Sequence, residues 1–226
     1  MARIRMSEAD HALVTAAVAE AEAGTSGEIV TIVAARSDGY EDVAFAWAAG
    51  IMLLALASIA AWPPLLTCPV DLLRGGWTHE WSARELIGWL FAALALKFLA
   101  VWLLLRIPAL RNLLTPRRVR TARVRERALL LFRASAERRT SGRTGILIYL
   151  SMAEHRAEIV ADEAIHSVVA PEVWGEAMVA LIDGVRAGRP GDGMAAAVER
   201  VGAILHRHLP RAADDANELP DRLIEL

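Results

Sequence analysis

The sequence predicts a small mixed α/β domain, a β-sheet covered by helices, interrupted by a two-helix transmembrane hairpin. Two long apolar runs predict the hairpin: residues 43–62 carry no charge, and residues 86–105 carry only Lys97. Short apolar runs at 29–33, 146–150 and 157–161 predict the sheet. Composition agrees with a membrane part joined to a soluble part. The 226 residues are 55% hydrophobic yet 23% charged, and a soluble domain with that much charge is rarely so apolar. One Cys and unexceptional Gly and Pro exclude disulfide scaffolds, collagen-like repeats and full disorder. A net charge of -2 excludes a uniformly basic nucleic-acid binder.

The chain opens on a short amphipathic helix. Ser7 is its expected N-cap, with Asp10 three residues on, and Gly24 is its expected stop. Gly27-Glu28 then leads into the β-branched run Ile29–Val33, read as a buried strand. At about 1.5 Å per residue, each 20-residue apolar run spans about 30 Å, the thickness of a bilayer's hydrocarbon core. A buried core helix would normally be shorter and polar on one face. Pro63-Pro64 ends the first span, because proline removes a helix donor and restricts the residue before it. Trp62, Trp77, Trp81 and Trp89 gather around the loop between the spans, where indole rings favour the membrane interface.

Charge sets the expected orientation. Twelve Arg lie between Arg106 and Arg143 against two acids, Glu126 and Glu137, whereas the loop 63–85 has a net charge of -1. The positive-inside rule places the Arg-rich side, and with it both termini, in the cytoplasm of a bacterial inner membrane. Arg111, Arg117, Arg118, Arg120 and Arg123 form a lipid-facing basic cluster suited to anionic headgroups. The run lacks the aromatic residues that stack nucleic-acid bases, so nucleic acid is not an expected partner.

Beyond the spans, residues 119–139 are expected to be helical. Strand 146–150 turns around Glu154-His155 into strand 157–161, a β-hairpin by pattern. Helices over about 171–187 and 193–208 follow, separated by the Gly- and Pro-rich loop 188–193. One helix and one strand cannot bury a core alone, so the strand before the membrane must pair with those after it. The domains are then 1–42, the N-terminal part of the α/β domain; 43–105, the hairpin; 106–208, a basic juxtamembrane segment and the rest of the domain; and 209–226, an acidic tail.

The segments Thr25–Val30, Arg143–Leu150 and Arg156–Asp162 resemble, in order and spacing, the motifs of the TPM domain family. More narrowly, the chain looks like the bacterial membrane-anchored branch that carries a transmembrane hairpin inside the domain. The resemblance covers roughly residues 7–36 and 119–208. It implies maintenance or assembly of membrane complexes, through protein–protein interaction with a membrane protein such as a LemA-type partner. It also implies an alternative, because acid-phosphatase activity and calcium binding are attributed to some members. Arg143-Thr144 stand where the family commonly has Asp-Asn, and Asp162–His166 replace its Gly-rich stretch; both departures argue against inherited catalysis.

Glu158, Asp162 and Glu163, with Glu28 as a further acid, are the candidate ligands for calcium, which takes several oxygen donors. Adjacent carboxylates at a helix start also serve as caps, and that reading is preferred. His206 and His208 are two residues apart and point to different sides of a helix, which disfavours a metal pair. Cys68 is the only thiol, and no nucleotide-binding loop or nucleophile–base motif is visible. Lys97, the one charge inside a span, is expected to contact a partner helix or a carbonyl. The leading expectation is a non-enzymatic interaction or assembly module; the alternative is a divalent-cation-dependent acid phosphatase using Glu158 and Asp162.

Overall fold

A computed structural model of the chain describes residues 6–74, 80–135, 142–212 and 218–226. The chain forms two compact units. One combines Met1–Asp38 with Arg117–Leu226, and the other is Gly39–Pro116.

The first unit is the α/β domain. Helix α1 (Glu8–Glu22) starts on the expected Ser7 cap: Ser7 Oγ accepts the Asp10 N–H at 3.1 Å, and Asp10 Oδ2 accepts the Ser7 N–H at 2.8 Å. The helix ends on Ala23 in right-handed geometry, so Gly24 is not a left-handed stop. Gly24 is small for a different reason. The His206 imidazole occupies the place where a Cβ at Gly24 would stand, so His206 packs against the end of α1, in keeping with the spacing that disfavoured a metal pair.

Four strands follow the order β3-β2-β1-β4. Strand β1 (Glu28–Ala34) runs parallel to β2 (Gly145–Ser151), in register from Glu28 opposite Gly145 to Ala34 opposite Ser151. The β2 strand turns through residues 152–155 into antiparallel β3 (Arg156–Ala161). The expected pairing of the strand before the hairpin with those after it is therefore present. The fourth strand was not expected. Instead of a simple acidic tail, the chain end folds back as β4 (Ile224–Glu225), parallel to β1. Leu219 and Leu223 are buried beside it, and Glu28 Oε2 accepts the Leu219 N–H at 3.1 Å. A two-residue strand adds few ladder bonds; burial of these two leucines holds it.

Side chains of β1 alternate between two layers. Ile29 and Val33 join Val14 and Val18 of α1 and residues of α8 (Gly175–Arg186) and α9 (Pro190–His208), including Leu181, Val198 and Leu205. Val30 and Ile32 face α6 (Arg117–Ser135), whose Val124, Ala128 and Phe132 form its buried stripe. Pro190 stands at the first turn of α9 instead of in the loop where the sequence reading put it. Its missing N–H costs a helix nothing there. The helix expected from Pro171 starts as a 3₁₀ turn, Pro171–Trp174, before α8.

The second unit contains α2 (Glu41–Ala61), α3 (Pro64–Arg74), α4 (Ala83–Leu104) and α5 (Pro108–Leu114). Helices α2 and α4 are long and apolar enough to cross a membrane. They are not core helices: α4 buries no residue, and α2 buries only Ala44 and Ala48. They pack on each other, with the Phe45 and Phe98 rings edge to face at 5.7 Å. Ser82 and Glu85 form an unforeseen capping box at the start of α4. Helix α3 lies in the segment read as a loop. Its first residue is Pro64, again a helix starter where the sequence reading saw only a stop.

Candidate functional site

The open side of the sheet is β3. Its neighbour β2 lies on one side, and among the described residues no strand pairs with the other. Asp162 donates its N–H to the Gly145 carbonyl at 2.9 Å, which fixes the phase of the ladder. Pairs alternate along antiparallel strands, so Val160 and Glu158 point their backbone groups at β2. Ile159 and Ala161 point theirs outward.

A cleft of about 610 Å³ follows this free edge. Successive β3 residues from Glu158 to Ala161 form its floor, Arg125 and Leu129 of α6 form one wall, and Trp174 and Met178 form the other. Its lining is mixed. The hydrophobic effect and unpaired backbone groups are offered together, which suits an extended peptide.

The acidic residues singled out by sequence take separate roles. Glu158 and Glu163 line this cleft, together with His166. Burial pushes the Glu158 carboxyl above its ordinary range, against the opposing pull of the Arg125 and Arg156 charges. Asp162 caps α7 (Glu163–Val168), with Oδ1 accepting the Glu163 N–H at 2.8 Å. Its other oxygen, Oδ2, is buried and has no hydrogen-bond partner among the described residues. Glu163 pairs with Arg143 at 3.0 Å. Glu28 lies at the start of β1, where it holds the C-terminal segment. Among the described residues, no three His, Cys, Asp or Glu side chains are grouped to hold a metal.

The basic residues divide in the same way. Arg111 belongs to α5 in the apolar unit, whereas Arg117, Arg118, Arg120 and Arg123 stand on α6. Arg118 is exposed. Arg123 is held by Asp38 at 3.1 Å and lies 3.6 Å from Glu126. Arg117 and Arg120 line a second cleft with Arg156 and Arg186, two residues that sequence reasoning missed. Nothing local could have found them, because they lie on β3 and α8 and only the fold assembles them. Lys97 is exposed near the middle of α4.

One polar network sits under the β2–β3 turn. Glu154 is buried and accepts the Ser37 N–H at 3.2 and 3.3 Å, and the Ser151 hydroxyl. Ser37 Oγ also lies 2.9 Å from the Tyr149 hydroxyl. Burial raises the Tyr149 phenol above its usual range. These contacts join the end of β1 to the turn, and no nucleophile–base pair emerges from them.

No family model matches the chain, and no curated protein matches it. Among solved structures, the chain is similar to the NMR structure of BA42 protein from the psychrophilic bacterium Bizionia argentinensis, at 17% identity and a TM-score of 0.55. That likeness covers 98% of this chain and 95% of the other. At such identity it speaks for fold alone, and the fold is a mixed α/β architecture with a small four-stranded sheet.

Proposed function

We propose that the chain is a membrane-anchored, non-enzymatic interaction module. It belongs to the TPM-like membrane proteins of the bacterial inner membrane, with α2 and α4 as two spans and both termini in the cytoplasm. The domain captures an extended segment of a membrane-protein partner, such as a LemA-type protein, along the free edge of β3 and so assists assembly or maintenance of a complex. The observation that carries this reading is the cleft that follows an unpaired strand edge between two helices. An exposed edge is an aggregation hazard that proteins normally cover, and here the flanking helices leave it accessible. Lys97 then contacts the partner's membrane helices.

Ile159→Pro tests the proposal. It removes an outward-facing N–H, and proline is tolerated on strand edges. Full-length protein is co-expressed with a LemA-type protein and recovered in mild detergent. Loss of co-purification in Ile159→Pro, with an unchanged melting transition, supports edge capture; undiminished recovery refutes it.

A second reading has one specific observation behind it. Glu158 holds its proton above the usual carboxyl range inside a cleft that also contains Glu163 and His166, as a general acid would. Divalent-dependent phosphate-ester hydrolysis by the full chain, abolished in Asp162→Ala, would establish the phosphatase alternative and reverse the ranking.

A further inference from the structure

We infer that the second cleft is a binding site for a phosphate monoester, either a free phosphate ester or the headgroup of an anionic lipid. The site is an open cleft of about 390 Å³ at one end of the α/β unit, within the size range of small-ligand pockets. Four arginines from three elements line it: Arg117 and Arg120 from α6, Arg156 from β3 and Arg186 from α8. Met178 and Ile182 supply an apolar wall for an organic substituent.

The charges do not cancel within the site. Glu154 is the carboxylate in the lining, and its oxygens already accept from Ser37 and Ser151. Arg186 lies 3.5 Å from Asp183, but both side chains are largely exposed, and such a pair contributes little. Glu158, two residues from Arg156 on β3, faces the adjoining cleft. Arg156 also acts on the Glu158 carboxyl, so four cations meet one committed carboxylate in the lining and one at its margin, and a net positive charge remains. The Nε of Arg120 is buried and finds no acceptor among the described residues. A buried donor without an acceptor is costly. His155 closes the turn at the cleft with φ 49°, a left-handed conformation in which a non-glycine residue is strained. Local strain of this kind tends to be kept where it serves a site.

Phosphate fits better than carboxylate. Guanidinium forks bind both, two N–H groups at a time. A carboxylate offers two oxygens and one charge, whereas a phosphate monoester offers three terminal oxygens and a charge near -2. Four arginines match the larger demand. The two points where the chain leaves and re-enters the α/β unit lie at this same end. Ser37 binds Glu154, and Arg117, which follows Pro116 directly, lines the cleft.

The test uses the full chain with two probes. Glycerol 3-phosphate is titrated calorimetrically into protein in neutral detergent. Native mass spectrometry counts phosphatidic acid retained after release from phosphatidylcholine nanodiscs that contain it. Arg120→Gln with Arg156→Gln should weaken glycerol 3-phosphate at least tenfold and abolish lipid retention. Arg200→Gln with Arg207→Gln on α9 removes the same charge and should change either readout by less than twofold. Binding of both probes, or of glycerol 3-phosphate alone, supports a site open to soluble esters; retention of phosphatidic acid alone identifies the headgroup as the source. Binding of neither probe overturns the inference, as does succinate binding as tightly as glycerol 3-phosphate, or an equal loss in the α9 variant. Should circular dichroism show the double variant unfolded, Arg186→Gln on the exposed face of α8 carries the same comparison, with an expected loss of about threefold.

Discussion

Deleting β1 should unfold the α/β unit, although more than one hundred of its residues follow the two apolar helices. Ile29, Val30, Ile32 and Val33 are each at most 2% exposed, and they serve both layers of the core. Fully burying a Val or Ile side chain contributes about 1.5–3 kcal/mol, so these four supply roughly 6–12 kcal/mol. The net stability of a domain is about 5–15 kcal/mol, so their loss is comparable to the whole. Removal also strips the ladder from one side of β2 and leaves β4 without its neighbour. Residues 117–226 alone should therefore aggregate or elute as an expanded, non-cooperative species. Residues 1–38 joined to 117–226 should restore a soluble domain. The linker can be short because the Asp38 carboxylate pairs with the Arg123 side chain at 3.1 Å, and Arg117 is six helical residues, about 9 Å, from Arg123. Ten Gly/Ser residues reach about 33 Å when extended, which also covers the lengths of the two paired side chains. Size-exclusion chromatography and thermal melting by circular dichroism read the outcome. A sharp transition in 117–226 alone, at the same midpoint as the fusion, refutes the split-domain reasoning.

Three further predictions rest on single side chains. The folded state holds the Glu158 proton more tightly than the unfolded chain, so this group's contribution to stability falls as pH rises from the ordinary carboxyl range through the raised folded value. Glu158→Gln should therefore gain on the wild-type fusion domain at neutral pH and lose that advantage below the ordinary range, which melts across pH 4–8 would show (the range about 4.5 is the unperturbed carboxyl). Thr31 Oγ1 is buried and unpartnered among the described residues; Thr31→Val should raise stability by about 1 kcal/mol, or roughly 2–4 °C in Tm, and a lower Tm would show that the hydroxyl is satisfied. Cys68 is an exposed free thiol on α3, so an impermeant maleimide should label it in intact spheroplasts, and labelling only after lysis would reverse the proposed topology.

Local signals in the sequence reached as far as local structure did. The two apolar helices were legible because an uninterrupted run of twenty residues has few other uses. The Ser7 cap and the β2–β3 turn were legible because their partners lie within a few residues. Proline misled twice, at Pro64 and Pro190, since the residue that stops one helix also starts another well. Strand β4 was illegible because two residues carry no period, and its pairing with β1 spans almost the whole chain. The arginine cleft was half legible. Arg117 and Arg120 stand in an obvious basic run, but Arg156 and Arg186 are ordinary surface arginines until the fold brings them to the same end. The acidic trio was legible as residues and not in its roles: Glu158 joins the cleft floor, Asp162 caps α7, and Glu163 lines the same cleft while pairing with Arg143.

The position of the apolar insertion follows from the sheet. Parallel strands cannot be joined by a tight turn, so β1 and β2 need a long crossover, and α6 supplies its helix. The insertion occupies the connection from β1 to α6, before the crossover helix begins. Any chain that leaves at Asp38 and returns near Arg117 is equivalent from the sheet's side, and two antiparallel helices of nearly equal length return the chain close to where it left. The Asp38–Arg123 pair and the Ser37–Glu154 bonds hold the exit against α6 and the β2–β3 turn. At the other end of the strand order from β4, β3 has no covering strand among the described residues. The arginine cleft lies at the end of the α/β unit where the chain leaves after Asp38 and returns at Arg117, and the β3 edge adjoins it through Met178, which lines both clefts.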